Sequence, residues 1–414
     1  MRALAAVVAG FLVANGPVSA WAATPAAPAS QPAAEGTAGW RGDGSGCYPS
    51  AELPARWSAK ENIVWKTEIG PGQSSPVIAG GRVFLTVEPD VLVCLDAATG
   101  KLLWREAHKL SDMPAALNAR APRQSGQYGQ ASPTPVADGK SVWAFFHTGI
   151  VACHQAGGAV RWVRWYKMRS RTTYGRTASP VLIAGRLVVH FGPLACLDAA
   201  TGKLLWQCDA AKATYGTPAA ARIGNVDVVI TPAGDLVRLA DGKLLAGDLG
   251  HCIYTSPVVR GRMVYFIDRA MTAVELPASA DEPVRPKELW YDELEGVFYT
   301  SPVVHGGRIY TVDRAANYFV LDAATGKTLL SKTLDLPPAG SPDPPNVYPS
   351  LCLAGKRLLI ANDAGNAIIL RPGAASPSCG RGSLPAGSGA TAAFTGRRMF
   401  VRGGKFLYCV GSGK

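Results

Sequence analysis

No stretch of this chain is apolar for long enough to span a membrane as a helix. The one candidate, Ala3 to Asn15, falls short of the roughly 20 residues that crossing requires. Charge is sparse as well. Only 17% of the 414 residues are Asp, Glu, Lys or Arg, which excludes a disordered polyelectrolyte. The nine cysteines form no Cys-x-x-Cys, no Cys-x-x-Cys-His and no adjacent pair, so zinc, c-type haem and a vicinal disulfide lose their usual marks. The six histidines make neither His-x-x-x-His nor His-Glu-x-x-His, and no phosphate-binding loop or nucleophile elbow occurs.

What is plentiful is apolar side chains and turn formers. Hydrophobic residues make up 48% of the chain, with 46 glycines and 31 prolines spread along it. That combination predicts a packed core built from many short elements joined by tight turns, an all-β chain. Lys and Arg outnumber Asp and Glu by 42 to 30, a net charge of +12, which favours anionic surfaces without choosing one. Arg2 followed by the short apolar run and by small residues at Val18-Ser19-Ala20 and Ala20-Trp21-Ala22 predicts a signal peptide over residues 1–23. An Ala/Pro-rich linker follows at 24–39, an N-terminal extension at 40–61, and one repeat domain at 62–414. The protein is expected to be exported, periplasmic or extracellular, with no transmembrane segment in the mature chain. In that compartment Cys47, Cys208, Cys252, Cys352 and Cys379 are candidate disulfide partners, whereas Cys94, Cys153, Cys196 and Cys409 recur at one strand position and read as buried thiols.

Repetition is the strongest signal. Leu-Asp-Ala-Ala-Thr-Gly-Lys-Leu-Leu-Trp occurs at Leu95 to Trp104 and again at Leu197 to Trp206, with a close copy at Leu321 to Leu330, a weaker one at Cys153 to Trp162 and shorter ones at Leu239 to Ala246 and Lys287 to Trp290. Ser/Thr-Pro followed by small apolar residues recurs at Ser75, Thr134, Ser179, Thr217, Ser256 and Ser301, and degraded copies lie at Tyr348-Pro349-Ser350 and Gly389 to Phe394. The prolines stand 38 to 59 residues apart, the spacing of four-stranded propeller blades. Each unit parses into four strands with glycine turns, and Trp104, Trp162, Trp206 and Trp290 fall on the fourth strand, where an indole fills the wedge between blades.

Eight units can be counted, and the last lacks its fourth strand. Asn62 to Ile69 has that strand's pattern, with Trp65 at the Trp position. It is therefore expected to pair with the last blade and close an eight-bladed propeller. Seven blades is the alternative, should Thr214 to Ala246 be too degraded to form one.

The Ser-Pro-Val and Leu-Asp-Ala-x-Thr-Gly-Lys-x-x-Trp pattern, over roughly Trp57 to Val410, resembles the PQQ-like β-propeller repeat. With Trp40-Arg41-Gly42 and the run from Trp57 to Ile69, the chain is similar to exported PQQ-like repeat proteins of planctomycete type, and more distantly to propeller lipoproteins of outer-membrane assembly. The resemblance implies the fold and leaves the activity open. Its quinoprotein dehydrogenases hold PQQ with calcium-ligating Glu, Asn and Asp and an adjacent cysteine pair, and no such set can be matched here. The expectation is a non-enzymatic scaffold without a cofactor; a PQQ- or metal-dependent oxidoreductase using the central channel is the alternative.

Candidate site residues collect on one face, where the loop entering the first strand meets the turn between the second and third. Tyr215, Tyr254, Tyr299 and Tyr348 each stand two positions before the Ser/Thr that opens a blade, and Tyr128 and Tyr174 lie slightly farther out. Asp268-Arg269 and Asp313-Arg314 occupy matching turns, with Asn362-Asp363 in the next unit, and suggest either an ion-pair ladder or ligand contacts. Arg169, Arg171 and Arg176 belong to a basic, aromatic-laced approach. Such a mixture also suits single-stranded nucleic acid, but export argues against that partner and favours an envelope protein or an anionic polysaccharide. His147 and His190 hold equivalent turn positions and read as solvated, as does the acidic stretch Asp281 to Glu295.

Overall fold

Residues 38–114, 129, 131–167, 178–336 and 346–411 are described in the computed structural model, and apart from one short 3-10 turn at Leu110–Asp112 their regular elements are short β-strands joined by turns. Eight sheets result. Blades 1 to 7 each take four consecutive strands, within 77–107, 136–165, 181–208, 219–246, 258–293, 303–333 and 352–383. Blade 8 takes three, Ala393–Thr395, Arg398–Gly403 and Phe406–Val410, and its fourth strand is Ile63–Glu68, lying antiparallel along Phe406–Val410. The degraded stretch within 214–246 does form four strands, so the count is eight rather than seven. Among these residues no helix is long and apolar enough to cross a membrane.

The repeat's Gly and Trp are explained by each other across the blade junction. Trp162 of blade 2 donates its indole N–H to Ala199 O of blade 3 at 3.1 Å, and Trp206 repeats this on Leu239 O and Trp290 on Ala323 O at 2.8 and 3.1 Å. The glycine of each receiving turn has positive φ, +72° at Gly202, and a Cβ there would run into the same indole. Glycine is thus required twice, for the turn and for the docking. Trp65 treats Gly100 in the same way from the strand that completes blade 8.

Blade 7 breaks the pattern, and the N-terminal extension repairs it. Its fourth strand, Ser378–Ser383, carries glycine in place of tryptophan. Arg56–Trp57 runs parallel beside that strand, and Trp57 packs over Gly382 among Leu384, Phe394, Met399 and Tyr408. Earlier in the extension, Cys47–Tyr48 adds in parallel to the blade's innermost strand, Cys352–Ala354. Ala38 and Gly39, expected in the linker, already bridge to Ala137 and Gly42.

Several expectations are corrected here. All nine cysteines are free thiols, seven of them buried, including Cys208, Cys252 and Cys352 among the candidate disulfide partners. Cys47 and Cys352 sit on opposite faces of one strand pair and belong to different core clusters. The stretch 281–295 is not a free loop: Lys287–Glu293 is the fourth strand of blade 5, and Glu282 pairs with Arg238 and with Lys243 of blade 4. His147 and His190 are buried rather than solvated; His190 closes the strand Arg186–His190 and pairs with Leu194 in the sheet of blade 3. The signal peptide lies outside the described residues, as do Tyr128, Tyr174, Arg169, Arg171 and Arg176.

Candidate functional site

The innermost strands surround a central space, and the Ser/Thr that opens each of them makes the same bond. The backbone N–H of Ser75 donates to the Oγ1 of Thr134 at 3.0 Å, that of Thr134 to Ser179 at 3.0 Å, and that of Ser179 to Thr217 at 3.0 Å. Thr217 donates to Ser256, Ser256 to Ser301, Ser301 to Ser350 and Ser350 to Thr391, at 2.8 to 3.0 Å. Thr391 returns to Ser75 at 2.9 Å. A closed collar of eight hydroxyls results, one per blade. The proline after six of these residues has no N–H of its own, so the relay uses the one amide donor at that point that the strand ladder does not need.

Above the collar stand the tyrosines. Tyr215 stacks on Tyr254 with ring centroids 5.3 Å apart, Tyr254 meets Tyr299 edge-on at 5.0 Å, and Tyr299 stacks on Tyr348 at 4.7 Å. Four successive blades therefore share one continuous aromatic arc. Such contacts add about 0.5–1.5 kcal/mol each beyond area burial, enough to fix the rim. Gln73, which accepts the N–H of Gly389 at 2.8 Å, and Ser388 continue the rim beyond the arc.

Below the collar the channel is blocked. The extension crosses it from blade 2, where Ala38 pairs with Ala137, to blades 6 and 7, where the buried Arg41 donates Nη2 to Pro302 O at 2.7 Å and to Leu351 O at 2.9 Å. Those carbonyls follow Ser301 and Ser350 directly, so the strap lies one step below the hydroxyl layer. Burial lowers the Arg41 pKa from its ordinary value. Trp40 faces the space between strap and collar and forms the floor. The result is a blind well of about 610 Å³, within the ~300–1,000 Å³ of small-ligand sites.

Its lining is polar but nearly uncharged. Seven of the eight collar hydroxyls line it, Ser301 being the exception, together with the four tyrosines, Trp40, Gln73, Ser132, Ser388 and Asp363. No lysine, arginine or histidine does so among the described residues. Asp363 accepts the N–H of Asn346 at 3.0 Å, and burial raises its pKa above the usual carboxylate value.

Of the candidate residues from the sequence, Tyr215, Tyr254, Tyr299 and Tyr348 are brought together here. Asp268-Arg269 and Asp313-Arg314 are not part of the lining, and among the described residues they form no ion-pair ladder. Asp268 instead accepts the backbone N–H groups of Ile253 and Arg269, both at 2.8 Å, and Asp313 those of Ala315 and Asn317 at 2.9 and 2.8 Å. The backbone claims these carboxylates because a tight turn leaves inward-pointing N–H groups that need an acceptor. Trp40 and Gln73 as lining residues, and the collar as a hydrogen-bonded unit, carry no local sequence signal beyond the Ser/Thr-Pro repeat.

Residues 55–148 and 146–275, more than half of the chain, match the sequence profile of a family described as outer membrane protein assembly factor BamB. A comparison with curated proteins gives no match. The fold is similar to BamB from Moraxella catarrhalis, with a TM-score of 0.60 at 12% identity over 84% of this chain and 96% of that one. It is also similar to the computationally designed Ika8 protein, with a TM-score of 0.55 at 13% identity over 83% and 99%, and to a europium-containing methanol dehydrogenase, with 0.55 at 12% over 82% and 84%.

Proposed function

Since this chain belongs to the BamB-like family of PQQ-like repeat proteins, we propose that it is an exported, non-enzymatic propeller that holds a protein or polysaccharide partner on its tyrosine-bearing face. The observation that carries this reading is the blind well itself, with a fixed aromatic rim and a wall of hydroxyls. A rigid, concave, amphipathic surface binds without first being ordered. Large flat tyrosine faces with polar tips are the residue type enriched where partners dock.

The fold family also includes quinone enzymes, and the residues present do not fit their cofactor. PQQ is a polyanion, and no cationic side chain lines the well among the described residues. Calcium needs several oxygen ligands of concentrated negative charge. Asp363 is the one carboxylate there, with an oxygen already engaged by Asn346, and no group of three His, Cys, Asp or Glu among the described residues is arranged to hold a metal.

A photo-crosslinking amino acid at the exposed Gln73, on the tyrosine-bearing face, is compared with one at the exposed Lys140, in a turn on the opposite face. Adducts in envelope preparations are expected from Gln73 and not from Lys140. Adducts from Lys140 alone, or turnover of an alcohol with an artificial electron acceptor in the presence of PQQ and calcium, overturn the reading.

A further inference from the structure

We propose that the well binds the uncharged end of a glycan chain. This rests on the reading of the tyrosine-bearing face as the binding face and adds the chemical class of what enters it.

The hydroxyl collar argues for the class. Each Ser or Thr hydroxyl has one proton to donate and two lone pairs to offer. In the collar each spends one lone pair on the N–H of the preceding blade, and none gives its proton to another described residue. Seven of these hydroxyls face one small space while 91% or more buried. Each therefore presents a donor and an acceptor together to whatever occupies the well. The complementary guest is one whose own groups both donate and accept, and sugar hydroxyls do so at close spacing. An anion accepts only: it could take the hydroxyl protons, but it would leave their remaining lone pairs without a donor and its own charge without a cationic side chain in the lining among the described residues. A cation donates only, and would have a single carboxylate, Asp363, whose pKa is already raised by burial.

The aromatic groups supply what a polyol ring needs besides hydrogen bonds. A pyranose has apolar C–H faces between its hydroxyls, and Trp40 at the floor and the tyrosine arc at the rim offer apolar surface with polar edges at both ends of the hydroxyl zone. A volume of about 610 Å³ closed below by the strap admits a few sugar rings and no passage beyond. The site thus suits a chain terminus rather than an internal segment.

The probes are maltotriose, cellotriose and tri-N-acetylchitotriose, all neutral, and trigalacturonate as an anion of similar size. They are titrated into the folded protein by calorimetry and by saturation-transfer NMR. At least one neutral trisaccharide is expected to bind, with an affinity unchanged by high salt, because uncharged contacts are not screened, and trigalacturonate is expected to bind more weakly. Thr217→Val removes one collar hydroxyl and should weaken the neutral sugar about tenfold. Tyr299→Phe keeps the ring stack and should weaken it less while leaving the melting temperature unchanged, so a loss of binding there is not a loss of fold. Failure of all three neutral sugars, or tighter binding of trigalacturonate, overturns the proposal. If crosslinks from Gln73 persist in that case, only the ligand class falls and the protein partner remains; if they vanish too, the reading of the face falls with it.

Discussion

The backbone N–H of Thr391 donates to the Oγ of Ser75, 316 residues earlier in the chain, at 2.9 Å. It is the eighth bond of the collar and the one that joins the last blade to the first. Beside it, Arg402 of blade 8, itself buried, donates to Thr86 O and Gly70 O at 3.0 and 2.9 Å. The two ends of the repeat array are thus held at the centre by hydrogen bonds and at the outer edge by Ile63–Glu68 against Phe406–Val410, while the strap ties blade 2 to blades 6 and 7 across the channel.

The strap and the outer-edge strand separate by truncation. A chain starting at residue 38 should melt with the full-length protein. A chain starting at residue 47 loses Arg41, so Pro302 O and Leu351 O lose a charged donor and the well its floor; Arg41→Ala alone should cost about 3 kcal/mol, the worth of hydrogen bonds to a charged group. A chain starting at residue 70 also loses the strand beside Phe406–Val410 and exposes an unpaired edge, and should be the least stable. Equal melting temperatures for the chains starting at residues 47 and 70 would show that Ile63–Glu68 contributes nothing to closure.

Two glycines of blade 3 test how Trp and Gly specify the blade junction. Gly185 and Gly202 have nearly equal φ, +75° and +72°, but a Cβ at Gly185 meets nothing within 4 Å whereas one at Gly202 runs into Trp162 and Arg164. Gly185→Ala should cost only the left-handed backbone penalty, about 1–2 kcal/mol. Gly202→Ala should cost clearly more, since the indole must leave its bond to Ala199 O. Similar losses for both would mean that the glycine serves the turn alone.

The same contrast explains what was legible in the sequence. Blade number and the fourth-strand tryptophans could be read because turn glycine and indole repeat together in several units, as at Gly202 and Trp206, and the other units keep enough of the pattern to be counted. The tyrosine arc followed from a fixed offset, two positions before each Ser/Thr. The collar could not be read as a bonded ring, since each hydroxyl's partner lies in the next blade and only closure brings Thr391 to Ser75. The extension's contacts were missed for another reason: Ala38 and Gly39 make only isolated bridges, and Cys47–Tyr48 and Arg56–Trp57 are two-residue strands, too short to show any periodicity. Asp268 and Asp313 looked like ion-pair partners because an adjacent Arg is visible in sequence and an inward-turned backbone N–H is not.

Acid should weaken the protein through a buried histidine pair. His154 Nδ1 lies 2.9 Å from Gly158 O, an acceptor, so that nitrogen carries the proton; its Nε2 then accepts from His108 Nε2 at 2.9 Å. Burial first, and His154 second, lower the His108 pKa from 6.5 to about 4. The unfolded chain therefore takes up a proton near pH 6.5 that the folded chain refuses until about pH 4. Stability is fully present above pH 6.5 and falls progressively towards pH 4, by about 3 kcal/mol from this group. Denaturant midpoints at pH 7 and pH 4.5 should differ less in His108→Gln than in the native protein. An identical pH dependence would remove the pair from the account.

The basic approach and the aromatic arc should contribute to partner capture in different ways, and salt tells them apart. Arg169, Arg171 and Arg176 lie outside the described residues, but their sequence carries concentrated positive charge without an acid. Charges on exposed loops act over about 10 Å at 0.1 M salt. Replacing the three with Ser should slow capture at low salt, leave it little changed at high salt, and cost within about 0.5 kcal/mol of stability. Tyr254 and Tyr299 lie side by side in the rim, so Tyr254→Ala with Tyr299→Ala should weaken capture equally at every salt concentration. That variant also loses two stacked contacts and the edge-on contact between them, so it should melt earlier, whereas Tyr254→Phe with Tyr299→Phe should keep the rings and the melting temperature. If the alanine variant melts early while its folded fraction captures partner as well as the native protein, the arc serves only to brace the four blades it spans.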